Sequence, residues 1–266
     1  MSRIGQKFNA LKQKKQSALI PFIMAGDPDL ETTEALVYKL SESGADIIEL
    51  GVPFSDPLAD GTILQAASQR ALQNGVSLRD IFDLTMRLKK LTTPIILMTY
   101  FNPVFRYGLK EFAAGCKQNQ IDGVIIPDLP PEEAGLWIRE ARRMSLDTIF
   151  LIAQTSPPER IKRVNRISRG FIYFVSVTGV TGMREKLPEE LESLVEPIRE
   201  ESRKPVAVGF GISNPEQAQR VGRFADGVIV GSAIVKIIAE NIDSSSLVEK
   251  VGQFVSSFAE ALRGRT

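Results

Sequence analysis

The sequence predicts an α/β fold of the (β/α)8 type, a closed parallel barrel ringed by helices, on three observations. Short runs rich in Ile, Val, Leu and Phe alternate with longer amphipathic stretches from Ser17 nearly to the end of the chain. Those runs are almost continuously apolar rather than alternating, as expected when helices bury both faces of a parallel sheet. At 266 residues, 43% of them hydrophobic, the chain matches one TIM barrel in size and has enough apolar side chains for a large core. An open doubly wound sheet is the lesser alternative. It would usually carry a glycine fingerprint after its first strand, and Ala25-Gly26-Asp27-Pro28 does not supply one.

The elements follow in order. Met1 to Ser17 is basic and free of acids, and Ile4, Phe8 and Leu11 recur there at helical spacing. This predicts an amphipathic helix over residues 1–16 lying on the barrel rather than a transit peptide. Strands are expected at Leu19 to Met24, Asp46 to Leu50, Pro94 to Thr99, Gly123 to Ile126, Thr148 to Ile152, Phe171 to Val177, Pro205 to Val208 and Gly227 to Val230. Helices are expected at Leu30 to Ser43, Leu78 to Leu91, Leu109 to Gln118, Pro131 to Met144, Pro158 to Ile167 and Pro188 to Glu200. Prolines at or near several of these starts suit the first helical turn, where a missing N–H costs nothing. No linker or low-complexity tract divides the chain, so residues 1–266 are read as one domain.

Composition narrows the function. Thirty-three basic against 32 acidic residues leave a formal charge of +1, which gives no electrostatic reason to expect nucleic acid or a membrane surface as partner. No apolar run approaches the roughly 18 residues of a membrane span, and the start of the chain lacks a signal-peptide core. The expectation is a soluble protein of the cytoplasm, or of the plastid stroma if organellar. The single cysteine, Cys116, excludes an internal disulfide and is read as a packing residue in a reducing compartment. With no histidine, no second cysteine and no EF-hand spacing, no metal site is expected.

The most informative segment runs from Asp46 to Gly61: Asp-Ile-Ile-Glu-Leu-Gly-Val-Pro-Phe-Ser-Asp-Pro-Leu-Ala-Asp-Gly. Glu49 interrupts an otherwise apolar strand, and a carboxyl in such a run needs a partner or a task to offset its desolvation. Asp56 and Asp60 follow in a proline-rich loop. Because the chain has no histidine, proton transfer near neutral pH falls to carboxyl groups or tyrosine with shifted pKa, and Glu49 and Asp60 are the first candidates. A structural reading competes for each: a salt bridge beneath the loop for Glu49, an Asx-type turn before Gly61 for Asp60. In a barrel, both lie at the C-terminal face, where active sites form.

Glycine loops follow the last three strands: Val177 to Gly182, Gly209 to Pro215, and Gly231 to Ile234. A single glycine turn is usually mere loop geometry. Three converging at a barrel's usual phosphate address, two of them leading into helices, point to backbone N–H groups aimed at an anion, hence to a phosphate ester. The absence of a Walker-type Gly-Lys-Ser/Thr segment argues against a nucleoside triphosphate.

Together, Gly26 to Pro28, Glu49 to Gly61, Gly179 to Gly182 and Gly209 to Ile212 resemble the tryptophan synthase alpha subunit family, from about Ser17 to the C-terminus. The long second-loop segment is specific, whereas many phosphate-binding barrels share the glycine loops. The resemblance implies retro-aldol cleavage of indole-3-glycerol phosphate to indole and glyceraldehyde 3-phosphate, within an alpha2beta2 complex whose beta subunit makes tryptophan. It implies no cofactor in this chain, pyridoxal phosphate belonging to the beta subunit. By the same resemblance Glu49 is the acid/base, Asp60 the indole partner and Tyr173 an active-site tyrosine. Gly182, Gly211, Gly231 and Ser232 would hold phosphate, Phe22, Tyr100 and Phe210 would line the indole pocket, and Thr181 would meet Asp60 when the sixth loop closes. Pro53, Asp56, Asn102, Asp128 and Pro130 would face the beta subunit, although each also suits a turn. Position 62 is Thr where family members often have proline, which bears on loop stiffness and leaves both carboxylates in register. A freestanding lyase that releases indole, and a non-catalytic barrel that only activates a beta-type subunit, are the competing readings.

Overall fold

In the computed structural model, which describes residues 1–88, 90–175, 190–209 and 211–264, parallel strands pair in sequence order and close when the eighth meets the first. They are β1 (Ala18–Met24), β2 (Ile48–Gly51), β3 (Ile95–Met98), β4 (Gly123–Ile125), β5 (Asp147–Ala153), β6 (Ile172–Val175), β7 (Val206–Gly209) and β8 (Gly227–Val230). Nearly every strand residue is buried, as the unbroken apolar runs require. The open-sheet alternative is excluded by the β1–β8 pairing.

The helices around the barrel are α2 (Leu30–Glu42), α3 (Thr62–Gln73), α4 (Leu78–Arg87), α5 (Phe101–Tyr107), α6 (Leu109–Gln118), α7 (Gly135–Arg143), α8 (Pro158–Ile167), α9 (Leu191–Glu201), α10 (Pro215–Phe224), α11 (Ser232–Glu240) and α12 (Leu247–Arg263). Two boundaries depart from expectation. The helix expected to reach Leu91 ends at Arg87, where Leu88 N–H bonds Thr85 C=O at 3.2 Å and tightens the last turn. The helix expected from Pro131 begins at Gly135, because a turn closed by Glu133 N–H on Pro130 C=O at 3.0 Å comes first. β6 is described only to Val175, so the expected residues 176 and 177, like the expected helix start at Pro188, lie outside the described residues, and α9 is described from Leu191.

The expected N-terminal helix is α1 (Arg3–Gln13), capped by the Ser2 hydroxyl, with Ile4, Phe8 and Leu11 buried. It plugs the barrel at the strands' N-terminal ends. Gly123 and Gly227 make room for it: a Cβ on Gly123 would lie 3.0 Å from Ile4 Cδ1, and one on Gly227 would lie 3.4 Å from Phe8 Cε1. Arg3 pairs with Asp122 at 2.9 Å and Lys7 with Asp46 at 3.7 Å, so apolar burial and charge fix the helix together. Cys116 is fully buried on α6, and burial pushes its thiol pKa up, as suits a packing residue.

The same Gly227 position would meet Ala207 and Ile20, which identifies the barrel interior. Strand register then carries that face around. Phe22 lies beside Glu49, Glu49 beside Ile96, and Tyr173 beside Ala207. Phe22, Glu49 and Tyr173 therefore point inward from three strands toward one end of the barrel.

Candidate active site

Glu49 and Asp60 are buried at the C-terminal end of the barrel, 1% and 4% exposed. Glu49 comes from β2, and Asp60 from the loop that ends at Gly61, the residue preceding α3. Neither competing structural reading holds. Among the described residues Glu49 Oε2 and Asp60 Oδ1 have no hydrogen-bond partner, no cation pairs with Glu49, and no backbone N–H donates to the Asp60 carboxyl. Burial pushes Glu49 up to about 8, and the neighbouring Asp60 charge adds to the rise. Burial also pushes Asp60 up to about 6, against a hydrogen bond from Tyr100 that pulls it down. At pH 7 Glu49 is protonated and Asp60 largely ionised, which separates an acid from a base within one carboxyl pair.

Several bonds hold the second loop in place. Val52 N–H reaches Met98 C=O at 2.8 Å, and Ser68 Oγ on α3 accepts from Phe54 N–H and donates to Phe54 C=O at 2.8 and 2.9 Å. Ala59 N–H donates to the Tyr100 hydroxyl at 3.0 Å, and Gln65 Nε2 donates to Asp60 C=O at 2.9 Å. The Phe54 and Tyr100 rings stack with centroids 5.2 Å apart. Behind the loop, Arg70 on α3 grips the buried Asp27 carboxylate with two bonds of 2.7 and 2.8 Å, tying the first loop to the second.

Tyr173 is buried, and its phenol pKa is raised by burial and by the Glu49 and Asp60 charges. A Cβ on Gly209 would overlap its hydroxyl, so glycine on β7 makes space for the tyrosine. Phe22 lies between the second loop and the last. A Cβ on Gly51 would stand 2.6 Å from Phe22 Cζ, and one on Gly231 would stand 3.5 Å from Phe22 Cβ. Gly209, read from the sequence as the start of a phosphate loop, makes room for Tyr173, and Gly51 makes room for Phe22 without having been given a role from the sequence. The available signal was a glycine two residues beyond Glu49, on the same strand face.

The two helices after the last strands differ in their starts. Asn214 Oδ1 accepts from Gln217 N–H at 2.9 Å and Gln217 Oε1 from Ser213 N–H at 2.7 Å, so α10 is capped by its own side chains and carries Glu216 in its first turn. α11 begins at Gly231 and Ser232 with no side-chain cap and no acid in its first turn. Of the two, α11 is the more receptive to an anion. Gly211 adopts a left-handed turn at φ 85 before α10. Thr181, Gly182 and Phe210 lie outside the described residues.

Asp56, Asn102 and Asp128 are exposed, Pro130 is half-buried and Pro53 is buried. Asp128 Oδ1 accepts from Phe101 N–H at 2.8 Å, so it also anchors the start of α5. On the second loop and α5 the sequence reading passed over Leu58 and Phe105, apolar side chains left 84% and 65% exposed. Among the described residues no group of three or more Cys, Asp or Glu side chains could hold a metal ion, and no helix is long and apolar enough to cross a membrane.

A closed (β/α)8 barrel whose catalytic end buries two carboxyl groups of unlike proton affinity is an enzyme scaffold for acid–base chemistry on a small molecule. The family described as tryptophan synthase alpha chain matches residues 8–263. The chain is 51% identical over 263 residues to a tryptophan synthase alpha chain of Geobacter sulfurreducens, covering 98% of this chain and 99% of that one. It is 48% identical to one of Prochlorococcus marinus, covering 98% and 94%. Among solved structures, tryptophan synthase subunit alpha of Legionella pneumophila superposes with a TM-score of 0.92 at 38% identity, covering 98% of both chains. A tryptophan synthase structure from Mycobacterium tuberculosis gives 0.91 at 37% identity, with the same coverage. The chain belongs to the tryptophan synthase alpha chain family.

Proposed function

We propose that Glu49 and Asp60 carry the chemistry of this chain together, Glu49 as the acid/base and ionised Asp60 as the partner of the indole N–H. As a family member the chain is a carbon–carbon lyase of tryptophan biosynthesis. It cleaves indole-3-glycerol phosphate to indole and glyceraldehyde 3-phosphate, and a beta subunit takes the indole. The observation that supports the assignment is the pair of buried carboxyl groups, each with an unpartnered oxygen.

The reaction breaks the bond between indole C3 and the carbinol carbon. Neutral Glu49 gives its proton to C3, and the ring becomes an indoleninium cation. Ionised Asp60 accepts the ring N–H as a hydrogen bond and stabilises that charge. The Glu49 carboxylate then removes the substrate hydroxyl proton. The C–O unit collapses to an aldehyde, the carbon–carbon bond breaks, and its electron pair returns to the ring to neutralise the nitrogen. One proton has moved from the hydroxyl to C3, and Glu49 is protonated again. Both proton transfers use the Glu49 carboxyl group, and pyridoxal phosphate is assigned to the beta subunit.

Tyr173 is placed as an orienting group and Phe22 as an indole wall. Gly231 and Ser232 at the start of α11, with Gly211 and Gly182, are assigned to the phosphate, and Phe210 and Thr181 to the pocket and to loop closure. Pro53, Asp56, Asn102, Asp128 and Pro130 are assigned to the beta-subunit surface, which Leu58 and Phe105 extend. The whole of 1–266 is taken as one barrel domain working in the cytoplasm. Asp60→Asn tests the charge-stabilising role of Asp60: turnover should fall by roughly 10²–10⁴-fold while substrate affinity stays within a few-fold. A folded Asp60→Asn protein with ordinary turnover would remove Asp60 from the mechanism.

A further inference from the structure

We propose that Tyr100 is the positioning residue for Asp60: its hydroxyl takes the Ala59 N–H and faces the adjoining carboxylate, while its backbone starts α5 on the partner-facing side. The inference rests on the assignment of ionised Asp60 as the partner of the indole N–H and deepens it.

Tyr100 is 3% exposed and sits between β3 and α5, as the residue preceding the first turn of α5. Its hydroxyl accepts from Ala59 N–H at 3.0 Å, one residue before Asp60. Its ring stacks on Phe54 near the other end of the same loop, with an interplanar angle of 27°. One side chain therefore holds the second loop at two places. With its oxygen receiving the Ala59 N–H, the phenol keeps its own O–H to donate, and the adjoining Asp60 carboxyl, whose pKa this phenol lowers, is the acceptor it faces. Among the described residues the titratable groups facing Asp60 are Glu49 on β2, Tyr173 on β6 and Tyr100, and none of these is a cation. A neutral phenol at this place orients the carboxylate and favours its ionised form without neutralising it, as a carboxylate that must answer a ring cation requires.

The sequence reading placed Tyr100 among the aromatics lining the indole pocket. The geometry instead directs its polar end at the loop that carries Asp60. The chain on its far side continues into Phe101, whose N–H is held by Asp128, and then Asn102; Asp128 and Asn102 are on the surface assigned to the beta subunit. A shift of α5 on docking would thus reach Asp60 through one rigid ring.

The test is Tyr100→Phe, which removes the hydroxyl and keeps the stacking. Steady-state cleavage of indole-3-glycerol phosphate is measured across pH, with Asp60→Asn in parallel. The expected result is a kcat lowered about 10-fold with KM changed less than about 3-fold, and an acid limb moved up by about one pH unit, because the bond that favours ionised Asp60 is lost. A second readout, the Asp60 carboxyl titration followed by carbon-13 NMR in the Glu49→Gln protein with and without Tyr100→Phe, should move in the same direction and does not depend on turnover. An unchanged limb and unchanged titration with normal kcat, beside an inactive Asp60→Asn, would overturn the Tyr100 proposal alone. Normal activity of Asp60→Asn would instead overturn the Asp60 assignment on which it rests.

Discussion

Replacing Glu49 by Gln should raise the protein's stability at alkaline pH while stopping its chemistry. Glu49 titrates at 4.5 in an unfolded chain and at about 8 in the fold, mainly because it is buried and then because Asp60 lies nearby. Between those values the folded state holds a proton that the unfolded state has released, so stability falls as pH rises. The favourable contribution is complete below pH 4.5 and lost by the time pH passes about 8. At about 1.4 kcal/mol for each pH unit of difference, the loss amounts to roughly 3–5 kcal/mol. Gln has nearly the same shape and no titration, so the variant should escape that loss. Thermal unfolding of both proteins from pH 5 to 9, read by circular dichroism, checks it. At ~2–4 °C per kcal/mol for a chain of this size, the variant's midpoint should gain roughly 6–20 °C on the parent's across that range. Parallel curves would mean that Glu49 ionises freely in the fold, and the acid assignment would lose its physical basis.

Further outcomes follow from the same geometry. Cleavage requires ionised Asp60 and protonated Glu49, so kcat/KM should form a bell with limbs near pH 6 and pH 8, and a profile flat from 5 to 9 would contradict the pairing. Gly51→Ala would place a Cβ 2.6 Å from Phe22 Cζ and force that ring to move; kcat/KM should fall about 10-fold with a small change in thermal midpoint, as steady-state kinetics will show. Phe8→Ala removes the 4%-exposed plug at the other end of the barrel and should cost about 3–5 kcal/mol in urea unfolding while leaving kcat unchanged.

The fold was legible where local pattern and tertiary environment agree. β1, β3 and β8 are strands with both faces buried, so their unbroken apolar runs could be read directly. α3 was not singled out because its buried face is made of Leu64, Ala67, Ser68 and Ala71, small residues that leave a weak periodic signal. α5 is too short for a full apolar repeat and contains Pro103, so it read as loop. Glu49 was legible as an acid inside an apolar strand, and Asp60 by its motif. The bond from Ala59 to Tyr100 joins residues 41 apart and exists only because β2 and β3 are neighbours, and no spacing in the chain announces it. The difference between the starts of α10 and α11 likewise depends on which side chains turn back to cap, and both loops look alike as glycine-rich sequence.

The most direct test is indole release from indole-3-glycerol phosphate by the purified chain, with and without a tryptophan synthase beta subunit, beside the Glu49→Gln protein. The paired-carboxyl account predicts measurable cleavage by the parent, raised by the beta subunit, and a loss of at least about 10²-fold in the folded Glu49→Gln protein under both conditions. Cleavage by Glu49→Gln at a rate close to the parent's would contradict it.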